Sequence, residues 1–168
     1  SLGSRGLGDV YKRQKLLNVN TRATLLLAQA AYPALKESKG ALVAVASMSG
    51  MGAHPGMGAY SPSKAALISL CQVLAQEWAC DGINVNTVSP GMIRTPLTQK
   101  VYQNNQIAKE RAALVPWGRV GNPEDISNVI SFLLSPEANY ITGQNILVDG
   151  GFVDSLYRHI PGLPDSSE

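Results

Sequence analysis

A chain of 168 residues has room for one domain with a buried core. With 45% hydrophobic and 15% charged residues, it is not an intrinsically disordered polymer. Its 14 Lys+Arg and 12 Asp+Glu leave a formal charge of +2, too small for an electrostatic nucleic-acid binder. The longest apolar stretches, residues 23–34 and 41–46, fall short of the ~20 residues of a membrane span. Residues 1–14 do not read as a basic-apolar-small signal sequence either.

Those first residues, SLGSRGLGDVYKRQ, lack helical and strand periodicity, and GDVYKRQ resembles translated adapter or vector sequence. The expectation is a non-native leader without structure. Gly3, Gly6 and Gly8 have GxxGxG spacing with no strand before them. A dinucleotide-binding glycine loop must join a buried strand to a helix, so that amides meet the pyrophosphate, and these glycines are read as a decoy.

From there the elements follow in order. Leu16, Val19, Ala23, Leu26, Leu27, Ala30 and Ala31 have helical spacing, predicting a helix over 16–35 that Lys39-Gly40 brings to an end. Residues 41–46 (ALVAVA) form a short continuous apolar run, the mark of a parallel strand covered on both faces. A Gly/Ser/Met-rich loop over 47–58 leads to a second helix over 60–79, with Pro62 tolerable only in its first turn. Its apolar surface is read as Ala65, Leu67, Ile68, Leu70, Val73, Leu74 and Trp78. Strands are predicted at 83–88 and 145–148, and short helices between 95 and 115. Asn122-Pro123-Glu124-Asp125 is a helix start, with Asn as N-cap and acids at the positive dipole end. Strands alternating with helices give an α/β fold with a parallel sheet.

The chemistry rests on Ser47, Tyr60 and Lys64. Ligands of parallel α/β sheets sit beyond the carboxyl ends of the strands, where Ser47 follows ALVAVA. Tyr60 and Lys64, at i and i+4, share one helix face. A free phenol ionises near pH ~10 and is a poor acid or base at neutrality. A neighbouring ammonium favours the phenolate, while a serine hydroxyl holds the carbonyl oxygen or the developing alkoxide. No side chain supplies a hydride, so such a site needs a nicotinamide.

Ser47, Tyr60 within AYSPSKAAL, and Lys64 resemble the active-site signature of the short-chain dehydrogenase/reductases. The resemblance extends over 15–151. It implies an NAD- or NADP-dependent oxidoreductase interconverting an alcohol and a carbonyl. LLNVNTRATLLLAQAA looks like the helix carrying the family's active-site Asn, here Asn20, which holds a water linking the lysine to solvent. INVNTVSPGMIRTP looks like the strand and loop that grip the nicotinamide. There Pro90 and Gly91 shape the turn, the Ile93 backbone meets the carboxamide and Thr95 bonds the cofactor, with Tyr60 and Lys64 also touching it. GRVGNPEDISNVISFLLSPEANYITGQNILVDGG is similar to the family's closing helix and strand.

The family's glycine fingerprint, cofactor-selecting strand and NNAG-type loop have no counterpart in this sequence. The expected fold is therefore the C-terminal part of a Rossmann-like doubly wound sheet at 15–151, followed by a tail at 152–168. The fragment alone is expected to be inactive or nearly so. The resemblance further implies a homodimer or homotetramer through helices 16–35 and 60–79.

Ser63 is read as a helix-surface residue, Asn18 as packing or capping, Trp78 as packing, and His54 and His159 as structural or solvent-facing. Cys71 and Cys80 lie about 180° apart around a helix at ~100° per residue and cannot pair. Two free thiols fit a reducing cytoplasm. No residues have metal-ligand spacing. A serine hydrolase is the alternative enzyme, disfavoured because neither Ser47 nor Ser49 sits in GxSxG and only His159 follows in triad order. A cofactor-binding regulator without turnover would not need all of Ser47, Tyr60 and Lys64. Substrate choice is expected from residues 96–122 and the tail; the mix of Leu97, Tyr102, Ile107 and Trp117 with Lys100, Lys109 and Arg111 leaves sugars, hydroxy acids, steroids and acyl thioesters open.

Overall fold

The apolar run forms strand β1 (Ala41–Val45), the first of three parallel strands in the computed structural model, which describes residues 10–162. Side chains alternate along it. Leu42, Ala44 and Ala46 join one core cluster, while Val43 packs in a second on the opposite face. Contact with a core cluster on each face explains why the run shows no polar alternation, although Ala44 is the one buried residue of the strand and Val45 is exposed. Strands β2 (Asn84–Pro90) and β3 (Asn145–Val148) complete the order β1-β2-β3. Ala41 lies opposite Asn84, and Thr87 opposite Asn145.

The first face is covered by α2 (Ala23–Ser38) and α3 (Tyr60–Trp78). Leu67, Cys71, Leu74, Ala75 and Trp78 of α3 meet Ala28 of α2 and Ile83 and Val85 of the second strand segment. Burying side chains such as Leu67 and Leu74 contributes about 1.5–3 kcal/mol each. On α3, Ala65 and Val73 point outward instead of joining the predicted surface. The second face is covered by α6 (Pro123–Leu133), through Ile126 and Leu133 against Val88. Asp125 secures its start by accepting a hydrogen bond from the Asn122 N–H at 2.7 Å. Between β2 and α6, the short helices are α4 (Gln99–Tyr102) and α5 (Asn105–Leu114).

The first helix departs from expectation in extent and in orientation. Helix α1 (Val10–Leu17) passes through a π-helical turn, Asn18–Arg22, into α2 without leaving the right-handed region at Leu17, Arg22 or Ala23. Residues 10–14, expected to be structureless, are therefore helical. They bury nothing fully and carry no apolar stripe that would mark them as helical in the sequence. Lys, Arg and Gln carry good helix propensity, and the Gln14 amide donates to Asn18 Oδ1 at 3.1 Å. Gly3, Gly6 and Gly8 lie outside the described residues. The core-facing side of α2 is Leu25, Ala28, Tyr32 and Leu35, whereas Leu26 and Leu27 are exposed. A helix apolar on two sides offers two equally good periodic faces, and the sequence pattern picked the outer one.

Candidate active site

Ser47 is placed where the sheet ends. The Ala46 N–H donates to Val88 O at 2.7 Å, the last cross-strand bond before the chain turns off. Ser47 Oγ then accepts from the Ser49 N–H at 3.1 Å and caps a single 3₁₀ turn, Met48–Gly50. That turn is pressed onto α3. A Cβ at Gly50 would stand 2.9 Å from the backbone carbon of Lys64, so a glycine is needed for this approach. The close packing sets Ser47 beside the first turn of α3.

That turn presents Tyr60 and Lys64. The Lys64 ammonium lies 5.8 Å from the centre of the Tyr60 ring and donates to Val45 O at 2.8 Å. Burial holds the Lys64 pKa below its ordinary value, since desolvation disfavours the charged form. The carbonyl anchor uses one of three ammonium donors.

Behind them lies a contact that corrects the reading of Ser63. It is fully buried, not on the helix surface. Its hydroxyl accepts from the Asn20 amide at 2.9 Å and donates to Tyr60 O at 2.7 Å, and its carbonyl accepts from Thr21 Oγ1 at 3.0 Å. Asn20 and Thr21 both belong to the π-helical turn, whose altered pitch aims them at α3. Ser63 falls on the same α3 face as Leu67 and Cys71, a helical-spacing signal obscured by its being polar.

The loop after β2 supplies the other wall. Gly91 donates to Val148 O at 2.9 Å, and a Cβ there would come within 2.5 Å of Asp149 Cβ and 2.7 Å of its Cα. Only glycine passes at that distance. The Ile93 segment is pinned to residue 121: Arg94 N–H donates to Gly121 O, and Gly121 N–H to Met92 O. Thr95 is held by Thr98, whose hydroxyl accepts from the Thr95 N–H at 2.9 Å and donates to Ile93 O.

A cleft of about 1360 Å³ brings Ser47, Tyr60, Lys64, Pro90, Gly91, Ile93 and Thr95 onto one surface. Asn20 does not line it; it reaches the site only through Ser63. The C-terminal tail folds against the same cleft, contributing Phe152, Ser155 and His159 from around a short 3₁₀ turn, Leu156–His159. His54 also lines it, with Nδ1 3.2 Å from Ser49 Oγ, a contact the sequence did not signal. Among the described residues no carboxylate pairs with His54, and neither Ser47 nor Ser49 bonds His159, so a hydrolytic triad is not assembled. No group of three His, Cys, Asp or Glu among the described residues could hold a metal. Cys71 and Cys80 are unpaired, and burial pushes the Cys71 thiol up to about 11. Trp78 packs against Tyr32 with ring centres 5.0 Å apart. No described helix is long and apolar enough to cross a membrane.

A family model described as enoyl-(acyl carrier protein) reductase matches residues 9–153. A tropinone reductase homologue of Arabidopsis thaliana is 42% identical over 137 residues, covering 81% of this chain and 51% of the relative. Among solved structures, a 4-hydroxyisoleucine dehydrogenase complexed with NADH has TM-score 0.81 and 37% identity, covering 87% of this chain and 60% of that one. The NADP active-site complex of Pseudomonas aeruginosa RhlG has TM-score 0.80 and 31% identity, covering 86% and 60%. The chain spans about half the length of the curated relatives it matches.

Proposed function

The chain belongs to the short-chain dehydrogenase/reductase family, and on that premise we propose that it carries the catalytic residues of an NAD(P)-dependent oxidoreductase interconverting an alcohol and a carbonyl. The observation carrying this reading is the convergence of Ser47, Tyr60 and Lys64 on one cleft at the carboxyl end of the sheet. A nicotinamide, when bound, supplies or accepts the hydride. The cleft suits it on its donor set: a half-buried ammonium with donors to spare stands beside a backbone rim at Pro90, Gly91 and Ile93, with Thr95 adjoining. Those residues would hold it, with Lys64 and Tyr60. NADH and NADP each occupy a structural neighbour, and both remain candidates.

Tyr60 exchanges the proton at the substrate oxygen, acting as acid in reduction and as base in oxidation. Lys64 favours negative charge on the phenolic oxygen; its anchorage to Val45 O keeps the ammonium near the ring. Ser47 orients the carbonyl and donates to the oxygen as charge develops. The water relay through Asn20 rests on the resemblance, supported by its bond to Ser63, the residue preceding Lys64. The exposed outer side of α2, with Leu26 and Leu27, and exposed Val73 of α3 favour a homodimer or homotetramer through these helices. Two free thiols favour a reducing compartment such as the cytoplasm.

The test is Tyr60→Phe in the enzyme containing this chain. Turnover of NAD(P)H, followed by nicotinamide absorbance, should be lost while cofactor binding persists. Undiminished turnover would overturn the mechanism.

A further inference from the structure

Of the described residues that line the cleft, Lys64 and Arg111 carry charge and none is Asp or Glu, although the chain has 12 acidic residues. Arg111 stands apart from the catalytic group, on α5. Its guanidinium lies 5.6 Å from the centre of the Tyr102 ring, and that of Arg94 lies 5.4 Å from the same centre. Tyr102 is itself buried, so the aromatic support is fixed. The ion pairs among the described residues are Lys36–Asp81 and Arg119–Asp125, and neither involves Arg111. A half-buried guanidinium is thus held beside the cleft without a carboxylate.

The surrounding wall is apolar, including Leu97, Val101, Leu114, Ile126, Ile130 and Phe152. An apolar trough with one planar cation suits an amphipathic anion. The body of the ligand buries against the aliphatic side chains, and a carboxylate accepts two parallel hydrogen bonds from the fork.

We infer that the substrate is an oxo acid or the matching hydroxy acid, its carboxylate held by Arg111 while its reacting oxygen faces Ser47 and Tyr60. This rests on the oxidoreductase reading above and names its substrate class. It narrows the sugars, steroids, thioesters and hydroxy acids that the sequence left open to the one class bearing a free carboxylate beside an apolar body. A cofactor phosphate offers the same anionic chemistry, so the experiment must separate the two sources.

Levulinate and benzoylformate, each beside its neutral methyl ester, are the probes, with binding to the chain read by ligand-observed NMR. Each acid should bind about tenfold or more tighter than its ester, the scale of charge-assisted hydrogen bonds. Arg111→Gln should erase that preference without weakening the esters, NADH or NADPH. Arg111→Lys, which keeps the charge and loses the fork, should retain part of it. Acids that bind no tighter than their esters, or not at all, overturn the inference. So does a fall in NADH or NADPH affinity under Arg111→Gln with the acid preference intact, which assigns the guanidinium to cofactor phosphate. If Arg111→Gln loses esters as well as acids, the part retained by Arg111→Lys decides: an acid preference there supports the inference, and its absence overturns it. Tyr60→Phe should leave the acid preference in place, so failure of the hydride mechanism and failure of the carboxylate assignment read differently.

Discussion

The two ends of the sheet treat a lysine in opposite ways. Where the strands begin, Lys36 pairs with Asp81 at 2.7 Å, and Tyr32 donates to the same carboxylate at 2.5 Å. Asp81 and then Tyr32 hold the Lys36 pKa above its ordinary value. Where the strands end, Lys64 has a carbonyl for a partner, and burial holds its pKa below the ordinary value. One lysine closes a network joining α2 to the 3₁₀ turn that follows α3. The other is kept half-buried with bonding capacity left over. A charge matched within the fold ties elements together, whereas a charge the fold leaves unmatched is available to a ligand.

If that division is real, substitutions at the two ends should separate activity from stability. The largest effect belongs to Tyr60→Phe, which deletes a hydroxyl from the cleft wall. Turnover should fall by about 10²–10⁴-fold, the range for losing a general acid–base, with the thermal midpoint held. A collapse in stability of similar rank would show that Tyr60 belongs to the scaffold. Gly91→Ala comes next and should affect both properties. Its Cβ would meet the Asp149 backbone, and overpacking of that kind costs about 1–3 kcal/mol. Chemical denaturation should show the loss, and cofactor affinity should fall with it as the loop is pushed outward. Unchanged stability would mean that the β2–β3 ends are not rigid.

How much of this was legible in the sequence differs along the chain. Strand β3 falls at residues 145–148 as the run of apolar residues dictates, and β1 is one residue shorter than predicted. Strand β2 begins one residue later than predicted and extends two residues further, through Ser89 and Pro90, because a proline that ends a strand removes only a donor the ladder no longer requires. The shared placement of Ser47, Tyr60 and Lys64 on one cleft was legible because it depends on two local facts, a strand end and an i,i+4 spacing. Ser63 was not, because it acquires its meaning across the fold, from Asn20, 43 residues earlier; Arg111 was legible as part of the segment expected to choose substrate, and the fold adds its place on the cleft wall. The tail was expected to share in substrate choice, but its path to the cleft was not legible. Residues 152–159 hold almost no regular structure, yet they close one side of the cleft.

The smallest effect is expected at the opposite end, from Asp81→Asn. Lys36 and then Tyr32 hold the Asp81 pKa below its ordinary 3.8. A carboxylate depressed on folding contributes stability that is fully present above its unfolded value and is lost as pH falls through the folded one. At the alkaline end the signs reverse. Asp81 raises Lys36 above 10.5 and Tyr32 above 10.0, so their share is present below those values and disappears as pH rises beyond them. Asp81→Asn should therefore lower the thermal midpoint modestly near neutrality and flatten its dependence on pH at both extremes. The acid limb should shrink without vanishing, because Arg119 and the Asn122 N–H depress Asp125 independently. Added salt should reduce the difference between variant and parent, since the Lys36 side chain of the pair is more than half exposed. The same variant should leave the acid-over-ester preference at the cleft untouched. A change there comparable to that of Arg111→Gln would mean that the sheet transmits charge between its ends, and the division between a closed end and an open one would fail.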